Sequence, residues 1–99
     1  MKILFAVEAS KELDDAVNWY NEEKDGLGYD FVKIVDETIL RIARYPYFNT
    51  EIRSGVYRAL VKRFPFGVYY SVDDNSDTLY IYAIAHLHRK PMYWVKRIS

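Results

Sequence analysis

Two runs of alternating side chains, Val68-Tyr69-Tyr70-Ser71-Val72 and Thr78-Leu79-Tyr80-Ile81-Tyr82-Ala83-Ile84-Ala85-His86, flank the cluster Asp73-Asp74-Asn75-Ser76-Asp77. A repeat of two residues presents alternate side chains to opposite faces of an extended strand. The polar cluster supplies turn formers, so the pair reads as an antiparallel hairpin over 67–73 and 78–86. A third alternating run, 56–63, precedes it and carries Arg58, Lys62 and Arg63. Strict alternation places Arg58 and Lys62 on one face and Arg63 on the other. In the last strand it sets Leu79, Ile81, Ala83 and Ala85 against Tyr80, Tyr82, Ile84 and His86. The smaller aliphatic set is expected to face helices, and the tyrosine and histidine set to face outward.

Those helices are legible upstream. Lys2 to Val7 reads as a first strand. Ser10 is placed to cap a helix whose first turns carry Glu12, Asp14 and Asp15, favourable beside the positive end of the helix dipole. Leu13, Ala16, Val17 and Tyr20 form one apolar stripe. Asp25-Gly26-Leu27-Gly28 ends that helix. Leu27, Phe31, Ile34, Val35, Thr38, Ile39 and Ile42 then mark a second, which stops before Pro46 because a residue preceding proline disfavours helical geometry. The stripe from Phe31 to Ile42 reads as core. Strand, helix hairpin and three strands give an α+β two-layer fold, with an N-terminal strand and helix hairpin on a small, mainly antiparallel sheet.

With 99 residues the chain forms a single domain over 1–99, burying roughly 60–70% of its extended surface. The absence of cysteine removes disulfides, thiolate metal sites and cysteine nucleophiles. The apolar run Ile3 to Val7 is too short for a signal-peptide core or a membrane span, so the expectation is a soluble cytoplasmic protein with no membrane partner. Fourteen basic residues balance fourteen acidic ones, but acidic residues dominate between Glu8 and Glu37 and basic ones from Arg41 onward. Attraction to a polyanion must therefore come from local placement on the sheet.

Other chemistries find little support. Gly26-Leu27-Gly28 joins two helices and lacks the glycine and lysine of a phosphate loop. His86 and His88 have no convincing third partner for a metal, no Ser–His–Asp arrangement can be read, and no cofactor is expected.

The order of elements, Leu27-Gly28 opening the second helix, Gly55-Val56-Tyr57-Arg58, Arg63-Phe64-Pro65-Phe66 running into Val68-Tyr69-Tyr70, and Ala85-His86-Leu87-His88-Arg89-Lys90-Pro91 with Trp94 nearby resemble the RelE/ParE superfamily of bacterial toxins over about residues 3 to 94. The resemblance implies the toxin of a type II toxin–antitoxin pair, a plasmid-stabilisation type of protein that inhibits growth and is neutralised by a small antitoxin wrapped around it. It implies one of two targets: messenger RNA on the ribosome, cut by RelE-like members, or DNA gyrase, inhibited by ParE-like members.

RNA cleavage through the 2′-hydroxyl needs a proton acceptor, a cation at the scissile phosphate and a donor to the leaving oxygen. The resemblance places an arginine where this chain has Gly67. It retains Arg89, with His86, His88 or Tyr93 as acid or base; histidine's ordinary pKa of about 6.5 suits either role. Arg58, Lys62 and Arg63 are the substitutes for the missing arginine if they share a face. Loss of such a cation costs about 10²–10³ in rate, which favours the ParE-like reading over the nuclease, with an inactive member that only binds an antitoxin as a further alternative. The catalytic candidates, on the nuclease reading alone, are His86, Arg89 and Tyr93. The binding candidates are Arg58, Lys62, Arg63 and His88, displayed together on the sheet. Bland roles stand beside these: His86 as a packed residue, His88 as a solvent-facing one, Arg63 paired with an acid of the hairpin, and the tyrosines as amphipathic filler. The segment from Trp94 to Arg97 is a candidate to extend the sheet or to help hold the target.

Overall fold

A computed structural model describes residues 1–98. Strand β1 (Lys2–Phe5) leads into helix α1 (Val7–Glu23) and helix α2 (Leu27–Arg44), and four strands follow: β2 (Thr50–Arg53), β3 (Val56–Leu60), β4 (Phe66–Asp73) and β5 (Thr78–His86). The sheet runs β1-β5-β4-β3-β2. All its pairs are antiparallel except β1 with β5, where Lys2 lies opposite Thr78 and Phe5 opposite Ile81. The two helices cover one face, giving the expected α+β two-layer architecture.

Helix α1 starts before Ser10, which therefore is not its cap. The Ala6 N–H completes the link to β5 by donating to the Ile81 carbonyl at 2.9 Å, and the Ala6 carbonyl then accepts from Ala9 and Ser10. Fully buried Ala9 anchors this first turn on the sheet, so packing sets the helix start without a side-chain cap. At the hairpin, Gly26 takes φ +85°, a left-handed conformation open to glycine at little cost. Gly28 serves a different purpose. A Cβ there would stand 2.3 Å from the Val17 carbonyl oxygen, and the Asn21 side-chain oxygen accepts the Gly28 N–H at 2.8 Å. Asn21 thus satisfies one of the free donors at the start of α2.

The helix-facing core joins Phe31, Val35, Ile39 and Ile42 of α2 to Val68, Tyr70, Leu79 and Ile81 of the sheet. Tyr20, Phe31, Phe64 and Phe66 form an aromatic knot within it, with Phe64 centred 4.9 Å from Tyr20 and 5.0 Å from Phe31 in edge-to-face contacts. Strand β2 is an addition to the sequence reading. Its residues Thr-Glu-Ile-Arg lie largely exposed at the sheet edge, so there is no apolar run to reveal it; Gly55, at φ +77°, marks the turn into β3.

Strand β5 departs from simple alternation. Tyr69 pairs with Ala83 but Tyr70 pairs with Ile81, leaving Tyr82 as the extra residue of a bulge. The bulge reverses the phase of the strand. Leu79, Ile81 and Ile84 therefore face the helices, whereas Ala83 and Ala85 lie on the opposite face beneath Trp94. Trp94 is 2% exposed and packs against Tyr69 with ring centroids 5.1 Å apart. The segment after it forms a 3-10 turn, Val95–Arg97; it folds over that face and adds no strand.

Candidate functional site

The bulge in β5 creates the most densely connected polar cluster of the molecule. β1 ends opposite Ile81, so the edge of β5 is open to side chains from Tyr82 onward. The Glu12 carboxylate, reaching down from α1, accepts the Ile84 N–H at 3.1 Å. The same carboxylate holds Arg97 through two guanidinium nitrogens at 2.9 and 3.2 Å, accepts a short hydrogen bond from the Tyr93 hydroxyl and lies 3.6 Å from Arg89. Arg97 also donates to the Tyr82 carbonyl at 2.9 Å. Side-chain exposure is 13% for Glu12 and 11% for Arg97, against 56% for Arg89. Glu12 and Arg97 therefore form a mostly buried pair whose remaining hydrogen-bonding capacity is taken up by the bulged backbone, the arrangement such a pair requires.

The electrostatics follow from this geometry. Burial pushes the Tyr93 phenol up to about 12, reinforced by its hydrogen bond to Glu12 and the negative charge there, against the opposing influence of Arg89 and Arg97. Burial acts to lower the Arg97 guanidinium, but the hydrogen bonds and charge of Glu12 outweigh it and raise it. Arg89 stacks on the Tyr93 ring with its guanidinium carbon 3.9 Å from the centroid. Tyr93 thus holds its proton throughout the neutral range and directs it at Glu12.

His86 ends β5 opposite Phe66, with the rings 5.3 Å apart and close to perpendicular. Its Nδ1 accepts the His88 N–H at 3.1 Å, which places the proton of a neutral imidazole on Nε2. The ring borders a groove of about 500 Å³ lined also by Ala16, Trp19, Tyr20, Pro65 and Phe66, with Glu12, Asp15 and Arg89 at its polar margin. Trp19, at 57% exposure, gives α1 a large apolar side chain beside that groove. His88 is exposed, its ring 5.3 Å from that of His86.

On the opposite face, Arg58 lies across Gly67. A Cβ on Gly67 would stand 3.1 Å from Arg58 Cγ and 3.2 Å from its Cδ; the glycine makes room for the arginine stem of the neighbouring strand. Arg58 and Lys62 border a common groove, although β3 ends at Leu60 and Lys62 lies in the turn beyond it and not on the expected strand of 56–63. A cavity of about 120 Å³ lies between Arg58 and the 85–94 segment, bordered also by His86, Arg89 and Tyr93. That is space for about four waters at about 30 Å³ each. Arg63 stands apart. It takes φ +71° in the β3–β4 loop and borders a depression with Asp30, Lys33 and Glu37 of α2. Among the described residues it forms no ion pair within 4.0 Å, although its guanidinium lies 5.5 Å from the Phe64 ring centre.

The seven sequence candidates thus do not share one surface. Arg58, His86, Arg89 and Tyr93 border one small cavity, but Arg89 and Tyr93 direct their polar groups to Glu12. Lys62 meets Arg58 in a separate groove, Arg63 belongs to the helix side, and His88 projects beyond the strand. Sequence reasoning passed over Glu12 and Trp19 as site residues and named Arg97 only within the 94–97 segment. A carboxylate one helical turn before Ala16, bordering the apolar stripe, was the available signal for Glu12; nothing in the spacing joins it to Ile84 or Arg97.

A family model described as the ParE toxin of the type II toxin–antitoxin system, parDE, matches residues 3–91. The chain belongs to the ParE toxin family. The fold agrees. A chain of the chromosomal ParDE toxin–antitoxin system from P. aeruginosa superposes with a TM-score of 0.75 at 16% identity, covering 89% of this chain and 97% of that one. The isolated E. coli RelE toxin superposes with a TM-score of 0.63, also at 16% identity, covering 99% and 98% of the two chains. No curated protein matches significantly. The chain is a ParE/RelE-type toxin of a toxin–antitoxin system, and toxins of this kind pair with an antitoxin. Among the described residues, no helix is long and apolar enough to cross a membrane.

Proposed function

We propose that this toxin inhibits growth by binding a macromolecular target in the cytoplasm, DNA gyrase in the ParE-like manner, and not by turning over RNA. The observation that carries this reading is the engagement of Arg89 and Tyr93 with Glu12. A ribonuclease acting through Tyr93 and Arg89 would need a phenol free to exchange its proton and a cation free to meet phosphate. Here the phenol is raised to about 12, and the position of a second cation is Gly67, covered by the Arg58 stem. Binding requires neither group to change protonation.

Neutralisation follows from the same surfaces. The groove beside Trp19, Tyr20 and Phe66 offers an apolar seat on α1, and we assign it to an anchoring side chain of the cognate antitoxin, lying across the hairpin and the sheet edge. Buried aromatic and arginine contacts typically supply most of such affinity. A role in plasmid stabilisation belongs to this same reading.

Induction without the antitoxin tests the target. Filamentation and a DNA-damage response with intact transcripts are the expected outcome, and the Tyr93→Phe variant remains as toxic as the parent. Transcripts cut within codons while replication continues would establish the nuclease instead, acting through Tyr93 if Tyr93→Phe abolishes toxicity and through His86 or His88 if it does not. Normal growth after verified expression would identify a member that binds an antitoxin and poisons nothing.

A further inference from the structure

The two outer strands of the sheet are finished differently. On one side β2 carries Glu51 and Arg53, breaks its register between them, and turns the Glu51 carboxylate onto the Gly55 N–H at 2.8 Å. Charges and bulges of this kind keep an edge strand from recruiting another chain. On the other side β1 reads Lys-Ile-Leu-Phe, holds a regular register and borders only β5 among the described residues. The Lys2 and Ala6 N–H groups donate to Asp77 and Ile81, so even-numbered residues turn their backbone toward β5 while Ile3 and Phe5 turn theirs outward. Among the described residues, neither a strand nor a side chain takes up those two N–H and two C=O groups. Ile3 and Phe5 point their side chains at the helix-facing core, which puts Leu4 on the opposite face. There it lies beside Tyr80, the two being 39% and 36% exposed.

We propose that β1 pairs with β1 of a second copy of this chain, antiparallel about a two-fold axis through Leu4, so that the two five-stranded sheets become one. In that register Ile3 of each copy faces Phe5 of the other, and each such pair exchanges both its N–H and C=O bonds. All the outward backbone groups are then satisfied. Leu4 meets its own counterpart on the axis with a Tyr80 ring on either side, which carries an apolar strip across the seam. The strand ends match as well. The same register sets Met1, 44% exposed, against Val7, 83% exposed, and Lys2 against Ala6, so no like charges stand opposite. A lone exposed leucine needs no explanation. Here one axis satisfies backbone and side chains together, as an isologous interface requires. An extended segment of a different protein would satisfy the backbone equally well but gives no reason for the symmetric spacing of Met1, Leu4 and Val7. The seam is short, so the dimer belongs to the weak class below about 1,200 Å², with a dissociation constant on the order of 10–100 µM. Self-pairing of this kind is independent of the toxin's target, so purified protein tests it without reference to growth.

The test is sedimentation equilibrium of the purified toxin over concentrations from about one-tenth to about ten times that constant, with a reversible monomer–dimer equilibrium expected. Leu4→Lys sets two ammonium groups on the axis and should weaken association at least about tenfold, whereas Arg53→Gln, on the β2 edge, should leave it unchanged. Leu4 is exposed, so the lysine variant should match the parent in circular dichroism and urea midpoint. The register is read separately. The chain has no cysteine, so Leu4→Cys adds a single thiol. Directly opposed residues of a non-bonded antiparallel pair stand about 4.5 Å apart at Cα, inside the disulfide range of about 4.4–6.8 Å. Mild oxidation should therefore link Leu4→Cys into covalent dimers at least about tenfold faster than Lys2→Cys, whose counterpart in this register is Ala6. A dimer that Leu4→Lys leaves intact, or cross-linking as fast at position 2 as at position 4, overturns the proposal. So does a monomer at every concentration, and protection of the Ile3 and Phe5 amides from hydrogen exchange on adding the antitoxin would then assign the edge to that partner.

Discussion

Replacing Glu12 with alanine tests whether the cluster at the β5 bulge is a structural keystone or a surface decoration. The substitution leaves the Ile84 N–H without its acceptor, a loss of about 1–3 kcal/mol for a buried donor. It also leaves Arg97 as a mostly buried charge without its counterion, which in comparable pairs costs about 3–5 kcal/mol. The two losses share one carboxylate and do not add, and Arg97 keeps its bond to the Tyr82 carbonyl. The expected destabilisation is therefore about 3–5 kcal/mol, a large part of the 5–15 kcal/mol typical of a whole domain. Urea unfolding at neutral pH measures it, with unchanged slopes certifying the same two states. Lys11→Ala is the internal reference: it breaks the Lys11–Asp15 pair, 2.8 Å long with both side chains mostly exposed, and should cost little because solvent screens the pair. Glu12→Gln keeps an acceptor and should fall between the two. If Glu12→Ala cost no more than Lys11→Ala, the reasoning that Glu12 closes the bulge would be wrong.

Gly28→Ala should destabilise by about 1–3 kcal/mol, since a methyl 2.3 Å from the Val17 carbonyl forces the two helices apart; thermal unfolding gives the shift, and an unchanged midpoint would contradict the close approach. The Tyr93 phenol is raised from 10.0 to about 12 in the folded chain. Its contribution is accordingly complete below pH 10 and lost as pH climbs through about 12. Tyr93→Phe should flatten the stability profile over that window relative to the parent, as followed by chemical unfolding at stepped pH; an identical profile would place the phenol outside the cluster.

The helix hairpin was legible because the α2 stripe from Phe31 to Ile42 repeats at helical spacing and faces one core. The β4–β5 hairpin was legible because the turn cluster at 73–77 separates two alternating runs. Strand β2 was hidden, since an edge strand with mostly exposed residues needs no apolar pattern. Ser10 misled because capping preference is local, whereas α1 begins where β1 hands over its last backbone bond. The faces of β5 were half inverted by one unpaired residue, Tyr82, which no alternation rule can locate without the partner strand. The candidate site suffered most. Alternation over 56–63 set Arg58 beside Lys62, but the strand stops at Leu60 and the turn sets where Lys62 lies; the fate of Arg89 and Tyr93 depends on Glu12, 81 residues before Tyr93 in the chain.

That separation governs how the molecule is born. β1 pairs with residues 78–81 and Glu12 closes on Ile84, Tyr93 and Arg97, so the helix hairpin leaves the ribosome well before the strands that shelter its greasy side exist. At about 5–20 residues per second, the nascent hairpin waits several seconds with Phe31, Val35 and Ile42 uncovered. Assembly completes only when the last turn arrives to clasp the first helix, and until then the growing chain is a client for holdases and proteases.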